Sequence, residues 1–337
     1  MKILIDAMGG DNAPQEIVKG ALLAHDKFGA EIVLIGQQEQ IAPLLTGDYR
    51  PEIVDAREIV TMEDDPSTAT RRKKDSSMAV ALRMLKNGEG DAVVSAGSTG
   101  ALLTGATLTV KRIRGIRRAA LAPVLPNGGA GCMLIDCGAN AECTPEYLLQ
   151  FAFMGSFYMK KLHGVASPRV GLLCNGTEEH KGDSLRHETY PLLQKAHEEG
   201  RIRFIGNVEA SQIFKNEVDV LVTDGFTGNI LLKGLEGTLK FMLSTLKTLF
   251  KKPRNLLAGL MIKGEIGSLK AQLDPNAVGG TALLGISRPV IKAHGSSKAE
   301  AFSNAIRQAM VFAESGIIDD ITANIDYMRL ESEKEEA

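Results

Sequence analysis

A three-layer α/β/α fold on a mostly parallel sheet is predicted by three observations. Short apolar runs end in small polar loops, each loop leads into a stretch of helical period, and the cycle recurs along 337 residues with no low-complexity linker. Strands covered on both faces read as continuous apolar runs, and the crossing helices supply the alternation. "KILIDAMGGDN" is the first strand and loop. It leads to a helix from about Pro14 to Phe28, with Ile17, Val18, Ala21 and Leu22 on one face and Gly29 as its stop. "EIVLIG" follows as a strand, and "DAVVSAGSTG" leads into a helix through Val110. "CMLIDCGAN" precedes a helix opened by Pro145, where proline suits the first turn. "RVGLLCNGTEEHKG" and "DVLVTDGFTGN" repeat the plan, and "TALLG" and "PVIKAHGSS" are two further strands before a helix from about Lys298 to Ser315. One α/β/α unit is expected over residues 1–330, followed by a charged tail at 331–337.

One segment departs from this rhythm. Leu235, Leu239, Met242, Leu246 and Leu249 step by four and three, and Lys233, Lys240 and Lys247 form a stripe spaced by seven. This is a helix with a narrow apolar seam. "KKPRN" breaks it and "LLAGLMI" resumes it, so residues 235–273 are expected to project as a helical hairpin whose seam meets a second copy or a membrane surface.

Composition narrows the function classes. A net charge of -2 gives no global attraction to nucleic acid or anionic lipid, so any electrostatic partner must be recognised by a local patch. Cys132, Cys137, Cys143 and Cys174 lack the C-x-x-C spacing of zinc sites and the density of a disulfide scaffold. They read as cytosolic thiols. Only a three-residue apolar run precedes Asp6, and no later run reaches the length of a membrane span, so the expectation is a cytoplasmic protein, at most lying on a membrane.

In doubly wound sheets ligands sit beyond the carboxyl ends of the strands, where these polar loops fall. "SAGSTG" places Ser98, Thr99 and Gly100 at a helix start, where backbone amides can converge on an anion. No Lys-Ser/Thr pair follows, so it is not a Walker loop, and no well-placed G-x-G-x-x-G calls for a dinucleotide cofactor. "IDAMGGDNAP" supplies Asp6, Gly9 and Gly10, with Asn12 as a helix cap; "DCGAN" supplies Asp136, Gly138 and Asn140; "DGFTGN" supplies Asp224, Thr227, Gly228 and Asn229. Any one such loop reads as a capping turn. Four in one chain point to an extended polar ligand. "NGTEEHKG" adds His180 and Lys181, and "KAHGSS" adds Lys292 and His294, as groups to neutralise phosphate and donate a proton. Cys174 at a strand end reads as a buried thiol, because no local base is evident. No metal or cofactor is called for.

Two basic clusters remain, "RRKK" at 71–74 and "KRIRGIRR" at 111–118. Charge runs are usually solvated helix faces. The second sets Lys111, Arg112, Arg114, Arg117 and Arg118 on a nearly neutral protein, enough to steer an acidic protein partner. Neither cluster carries the interleaved aromatics of a single-strand nucleic-acid surface.

The motifs "DAMGGDNAP", "RRKKDSSM", "SAGSTGAL", "DCGAN", "PRVGLL", "GTEEHKG", "GNVEA", "VTDGFTGN" and "VIKAHG" occur in this order over nearly the whole chain. In this the sequence resembles the PlsX family of bacterial phosphate acyltransferases. The resemblance implies a Rossmann-like α/β/α fold similar to isopropylmalate dehydrogenases and phosphotransacetylases. It also implies a homodimer on the cytoplasmic face of the membrane and an early step of phospholipid synthesis, in which acyl-[acyl carrier protein] and inorganic phosphate give acyl phosphate. A membrane glycerol-3-phosphate acyltransferase would take the product. Two positions depart from the family: Ser98 and Cys174 stand where asparagine is usual. On this reading Lys181 and the "SAGSTG" and "DGFTGN" amides hold phosphate, His294 protonates or orients the departing sulfur, and Asp6, Asp136 and Asn140 shape the crevice. Rival readings are a phosphotransacetylase using coenzyme A thioesters and a non-catalytic scaffold for lipid-synthesis enzymes. A nicotinamide-dependent dehydrogenase is suggested by fold analogy alone.

Overall fold

The computed structural model describes residues 1–250, Asn255, Gly264 and 279–328. Its strands are β1 (Lys2–Asp6), β2 (Glu31–Gly36), β3 (Glu52–Asp55), β4 (Ala92–Ser95), β5 (Ala120–Ala122), β6 (Val124–Leu125), β7 (Cys132–Ile135), β8 (Arg169–Leu173), β9 (Arg203–Val208), β10 (Val220–Val222), β11 (Gly280–Leu284) and β12 (Val290–Ala293). The helices are α1 (Gln15–Phe28), α2 (Gln38–Ile41), α3 (Ala69–Arg72), α4 (Ser77–Asn87), α5 (Thr99–Thr109), α6 (Pro145–Leu162), α7 (Ser184–Glu198), α8 (Gly225–Phe250), α9 (Ala299–Glu314) and α10 (Ile317–Ala323).

The strands sort into two sheets, of order β3-β2-β1-β4-β12-β11-β5 and β6-β7-β10-β8-β9. Pairing is parallel except at β11, which opposes both neighbours, and at β6. All eight strands expected from the sequence are present, and among the described residues four more occur: β3, β5, β6 and β9. β5 and β6 matter most, because they lie on one stretch of chain that belongs to both sheets. Ala120–Ala122 pair with β11 of the first sheet, and after Pro123, Val124 and Leu125 pair with β7 of the second.

Helices cover both faces of the first sheet. On one face α1 turns Ile17, Val18, Ala21 and Ala24 inward against Phe302, Ala305, Ile306 and Ala309 of α9. On the other, α4 and α5 contribute Met78, Leu82, Leu85, Ala101 and Leu102. Deleting a buried phenylalanine or leucine from cores of this kind costs about 2–5 kcal/mol. α6 and α7 back the second sheet, and the start of α8 closes its other face with Leu231, Leu232 and Leu235.

Beyond its first turns α8 leaves the body, with Phe241 70% and Met242 54% exposed. It carries the first half of the segment expected to form a hairpin. The expected second arm, including Leu256, Leu257 and Leu260, and the tail at 331–337 lie outside the described residues. Among the described residues no helix is long and apolar enough to cross a membrane.

Candidate active site

A cavity of about 330 Å³ opens between the two sheets, at the carboxyl ends of β4, β7 and β12. Thr99 of α5, Gly138 after β7, Asn229 and Lys233 of α8, Thr281 of β11, and Lys292 and His294 at the end of β12 face it, and Leu121–Leu125 form its floor. The sequence-derived candidates Thr99, Asn229 and His294 are thus brought together. Lys292, named in the sequence among the groups to neutralise phosphate but passed over there in favour of Lys181, is the cation built most deeply into this wall, 8% exposed. Its ammonium donates to the carbonyls of Ala96 and Ala293. Burial lowers its pKa to about 8, against the pull of Asp6 and Asp11. His294 is also pushed down by burial, and its Nδ1 lies 2.8 Å from the Ser296 hydroxyl.

None of the three aspartates lines the cavity. Asp6 accepts the hydroxyls of Ser77 at 2.5 Å and Ser95 at 2.6 Å, while burial raises its pKa. Ser95 Oγ in turn accepts the Gly97 amide, so this chain fixes the start of the "SAGSTG" loop. Asp136 accepts the amides of Leu121, Ala139 and Asn140 and the Asn140 side chain, at 2.7–3.3 Å. Burial pushes it up to about 6 even so. Asp224 accepts the Thr227 amide at 2.8 Å and the Arg186 guanidinium at 2.6 Å; burial opposes its charge, but Thr227 and Arg186 outweigh that and hold its pKa low. A carboxylate at a strand end can bond to its own protein as readily as it can face a ligand, and here all three are held by loop amides, hydroxyls or a guanidinium of the chain itself. Asn140 ties Asp136 to the Ala119 carbonyl in the same way.

Glycines let the loops approach one another. Gly10 has φ +110°, and a Cβ there would meet that of Ala96 at 2.9 Å. At Gly225 a Cβ would meet the Asn140 carbonyl at 2.5 Å, and at Gly228 it would collide with the Asp136 carbonyl. Gly9 packs on the Gly97 amide and Gly100 on Pro66. Asn12 does not cap α1 with its side chain, as the sequence suggested; its amide donates to the carbonyls of Ser296 and Ser297, tying the first loop to the His294 loop. Ser98 is the N-cap of α5, accepting the Ala101 amide. Asparagine caps as well as serine, so this departure from the family pattern keeps the local geometry.

On the opposite side of α8 lies a groove of about 600 Å³, walled by Leu173, Cys174, Asn175, Arg186, Thr227 and Ile230. The first turns of α8 separate the two spaces, Thr227 facing the groove and Asn229 the cavity. Lys181 is half-buried on the β8–α7 loop beside the groove, packed over Gly176, and does not line the cavity. The basic run Lys111, Arg112, Arg114, Arg117 and Arg118 is exposed at the far end of α5, with Arg117 paired to Glu146 at 2.7 Å and Arg118 over the Tyr147 ring.

Two α/β sheets that share a strand segment, with a cleft between them walled by Lys292, His294 and the Lys233–Glu236 pair, form a fold of the phosphotransacetylase type. The chain superposes on a phosphotransacetylase from Streptococcus pyogenes with a TM-score of 0.60 at 17% identity, over 95% of this chain and 94% of that one. A branched-chain phosphotransacylase from Enterococcus faecalis V583 gives 0.53 at 15% identity, over 92% and 98%. The family described as fatty acid synthesis protein matches residues 1–320. Among curated relatives, a phosphate acyltransferase of Lysinibacillus sphaericus is 45% identical over 98% of this chain and 100% of its own length, and that of Oceanobacillus iheyensis is 45% identical over 97% and 98%. The chain belongs to this fatty acid synthesis family, the phosphate acyltransferases.

Proposed function

We propose that the chain transfers the acyl group of an acyl-[acyl carrier protein] thioester to inorganic phosphate in the cavity between the sheets. The observation that carries this reading is the buried Lys292 ammonium, which meets His294, Asn229 and the start of α5 in one cleft. A phosphate oxygen attacks the thioester carbonyl carbon, an oxyanion forms, and the C–S bond breaks to release the carrier thiol and leave acyl phosphate. The nucleophile is already anionic and thiolate is a good leaving group, so positioning and charge are the main tasks. Orientation supplies about 7–11 kcal/mol and one oxyanion donor about 2.7–4. Lys292 and the α5 amides hold phosphate, and His294 relays to the departing sulfur the proton that hydrogen phosphate gives up. Asp6, Asp136 and Asp224 hold the loops in register. The test is to mix the protein with palmitoyl-carrier protein and labelled phosphate and look for a hydroxylamine-sensitive acyl phosphate. Equal product from palmitoyl-coenzyme A would instead favour the coenzyme A reading, which the fold's phosphotransacetylase neighbours support.

Lys181 lies outside the cavity, on the groove side of α8, where it would meet the donor or a phosphate entering from there. Lys181→Ala is expected to raise the phosphate KM or lower kcat at least about tenfold; unchanged kinetics would remove it from the site.

The exposed Lys111–Arg118 run would dock the acidic carrier, roughly 16 Å along α5 from the cavity, a gap for the carrier's pantetheine arm to bridge. Arg114→Glu with Lys111→Glu is expected to raise the KM for acylated carrier about tenfold at low salt, and the effect should fade as salt rises. A salt-independent KM equal to the parent's would refute this surface.

The α8 face bearing Phe241 and Met242 would rest in the headgroup region or in a homodimer seam, placing a cytoplasmic enzyme at the membrane beside a glycerol-3-phosphate acyltransferase. Phe241→Ser with Met242→Ser is expected to abolish liposome flotation or to dissociate the dimer in sedimentation; retention of both would exclude this face.

A further inference from the structure

The second sheet has another opening, at the edge opposite the candidate site. Residues 166–168 lead into β8 and 200–203 into β9, and with α6 and the turn at 324–327 they enclose a cavity of about 650 Å³. Substrate chemistry is placed at the carboxyl ends of the parallel strands; this cavity lies at their amino ends, roughly 17 Å away along a five-residue strand.

Three features of its wall coincide. The first is charge, from Lys160, Arg201 and Arg203. Lys161 is engaged by Asp320 at 2.8 Å, whereas among the described residues neither Lys160 nor Arg203 forms an ion pair, Arg203 feeling only the more distant Asp219. Arg201 is held in place by Glu199 at 2.8 Å and by the Tyr327 carbonyl at 3.0 Å, with its guanidinium 5.3 Å above the Tyr327 ring. The second is aromatic surface. Tyr327 meets Phe153 edge to face at 5.9 Å, and Phe157 beside them is half-buried. The third is an unmatched polar group: the Ser156 hydroxyl is sealed from solvent and has no hydrogen-bond partner. A buried hydroxyl without a partner is unfavourable, so a wall that keeps one is suited to a ligand that accepts from it.

An alkyl chain would leave the cations and Ser156 unanswered, and a bare anion would leave the rings unanswered. We propose that this cavity is a second ligand site, taking a nucleotide-type ligand: a planar aromatic base joined to phosphate. Arg203 and Lys160 bind the phosphate, Arg201 being already oriented beside them, while the base stacks on Phe157 and the Ser156 hydroxyl, turning out of the wall about χ1, donates to it.

The full chain is titrated calorimetrically with ADP, with pyrophosphate and palmitate as comparison probes. ADP is expected to bind saturably, and Lys160→Ala and Arg203→Ala should each weaken it at least about tenfold. Phe157→Leu should weaken ADP but leave pyrophosphate unchanged. The acyl transfer rate without nucleotide should stay at the parent value in Lys160→Ala and Arg203→Ala, which also shows that they are folded. Absence of saturable ADP binding up to about 5 mM, or binding that ignores both cation substitutions, overturns the site. Pyrophosphate binding as tightly as ADP overturns the role of the base, and palmitate binding lost in the same variants overturns the nucleotide class.

Discussion

Lys292→Met is expected to lower kcat/KM for phosphate by about 10²–10³, the range found when one preorganised electrostatic donor is removed from a reaction centre. Lys292 is the most buried cation of the cavity wall, and in a dry wall a charge acts on an anion with little screening. The same substitution should leave thermal stability equal to the parent's or higher. Burial lowers the pKa of Lys292 to about 8, so folding disfavours its charged form: below about pH 8 the ammonium is a cost to the fold, relieved as pH rises from there toward the ordinary 10.5. Methionine keeps the length and removes that cost. In the parent, phosphate KM should rise as pH passes through about 8 and the ammonium is lost; the variant should lack this limb. Wild-type kinetics in Lys292→Met, or a KM flat across that range in the parent, would remove Lys292 from phosphate binding.

Arg186→Met should be the most destabilising of the single changes considered, at about 3–5 kcal/mol, because it strands a charge inside the protein. The Arg186 and Asp224 side chains are only 8% and 9% exposed and meet at 2.6 Å. Arg186 also donates to the Leu173 carbonyl and the Thr223 hydroxyl, so it joins β8, β10 and the start of α8. A melting temperature lower by roughly 5–10 °C is expected. Adding Asp224→Asn should recover part of the loss, since the amide oxygen still accepts from Thr227 while the unpaired charge is gone. A loss below about 1 kcal/mol would place this pair with solvent-exposed bridges.

The strand-loop-helix rhythm made the architecture legible in the sequence, down to the stop at Gly29 and the helix opened by Pro145. What was not legible was the division into two sheets. It depends on which strands pair across long stretches of chain, and on a segment, "ALAPVL", whose halves are too short for periodicity to show. The loops at the site were found for the right reason, and the direction of their carboxylates was not. Asp6, Asp136 and Asp224 would give the same sequence signal whether they faced a ligand or other groups of their own chain. Lys292 did carry a signal of its own. In "PVIKA" it is the only charge in a run with the composition of a buried strand, where lysine is rarely found without a function or a partner. Lys181 and His294 drew attention as loop residues; the strand lysine is the one the pleat carries into the wall of the cavity.

The position of β12, wedged between β4 and β11, has a consequence for how the chain is made. During synthesis β4 emerges with its neighbour's place vacant, and the chain must be extended from Ser95 to Val290 before that place is filled. At about 5–20 residues per second this leaves a nascent, apolar strand edge open for roughly 10–40 s. The centre of the first sheet is thus completed only after every strand of the second sheet has been made, and Lys292 arrives with it. A ribosome-bound chain stopped short of β12 would lack both the keystone strand and the ammonium, so competence for catalysis would wait on a strand made long after its neighbour β4.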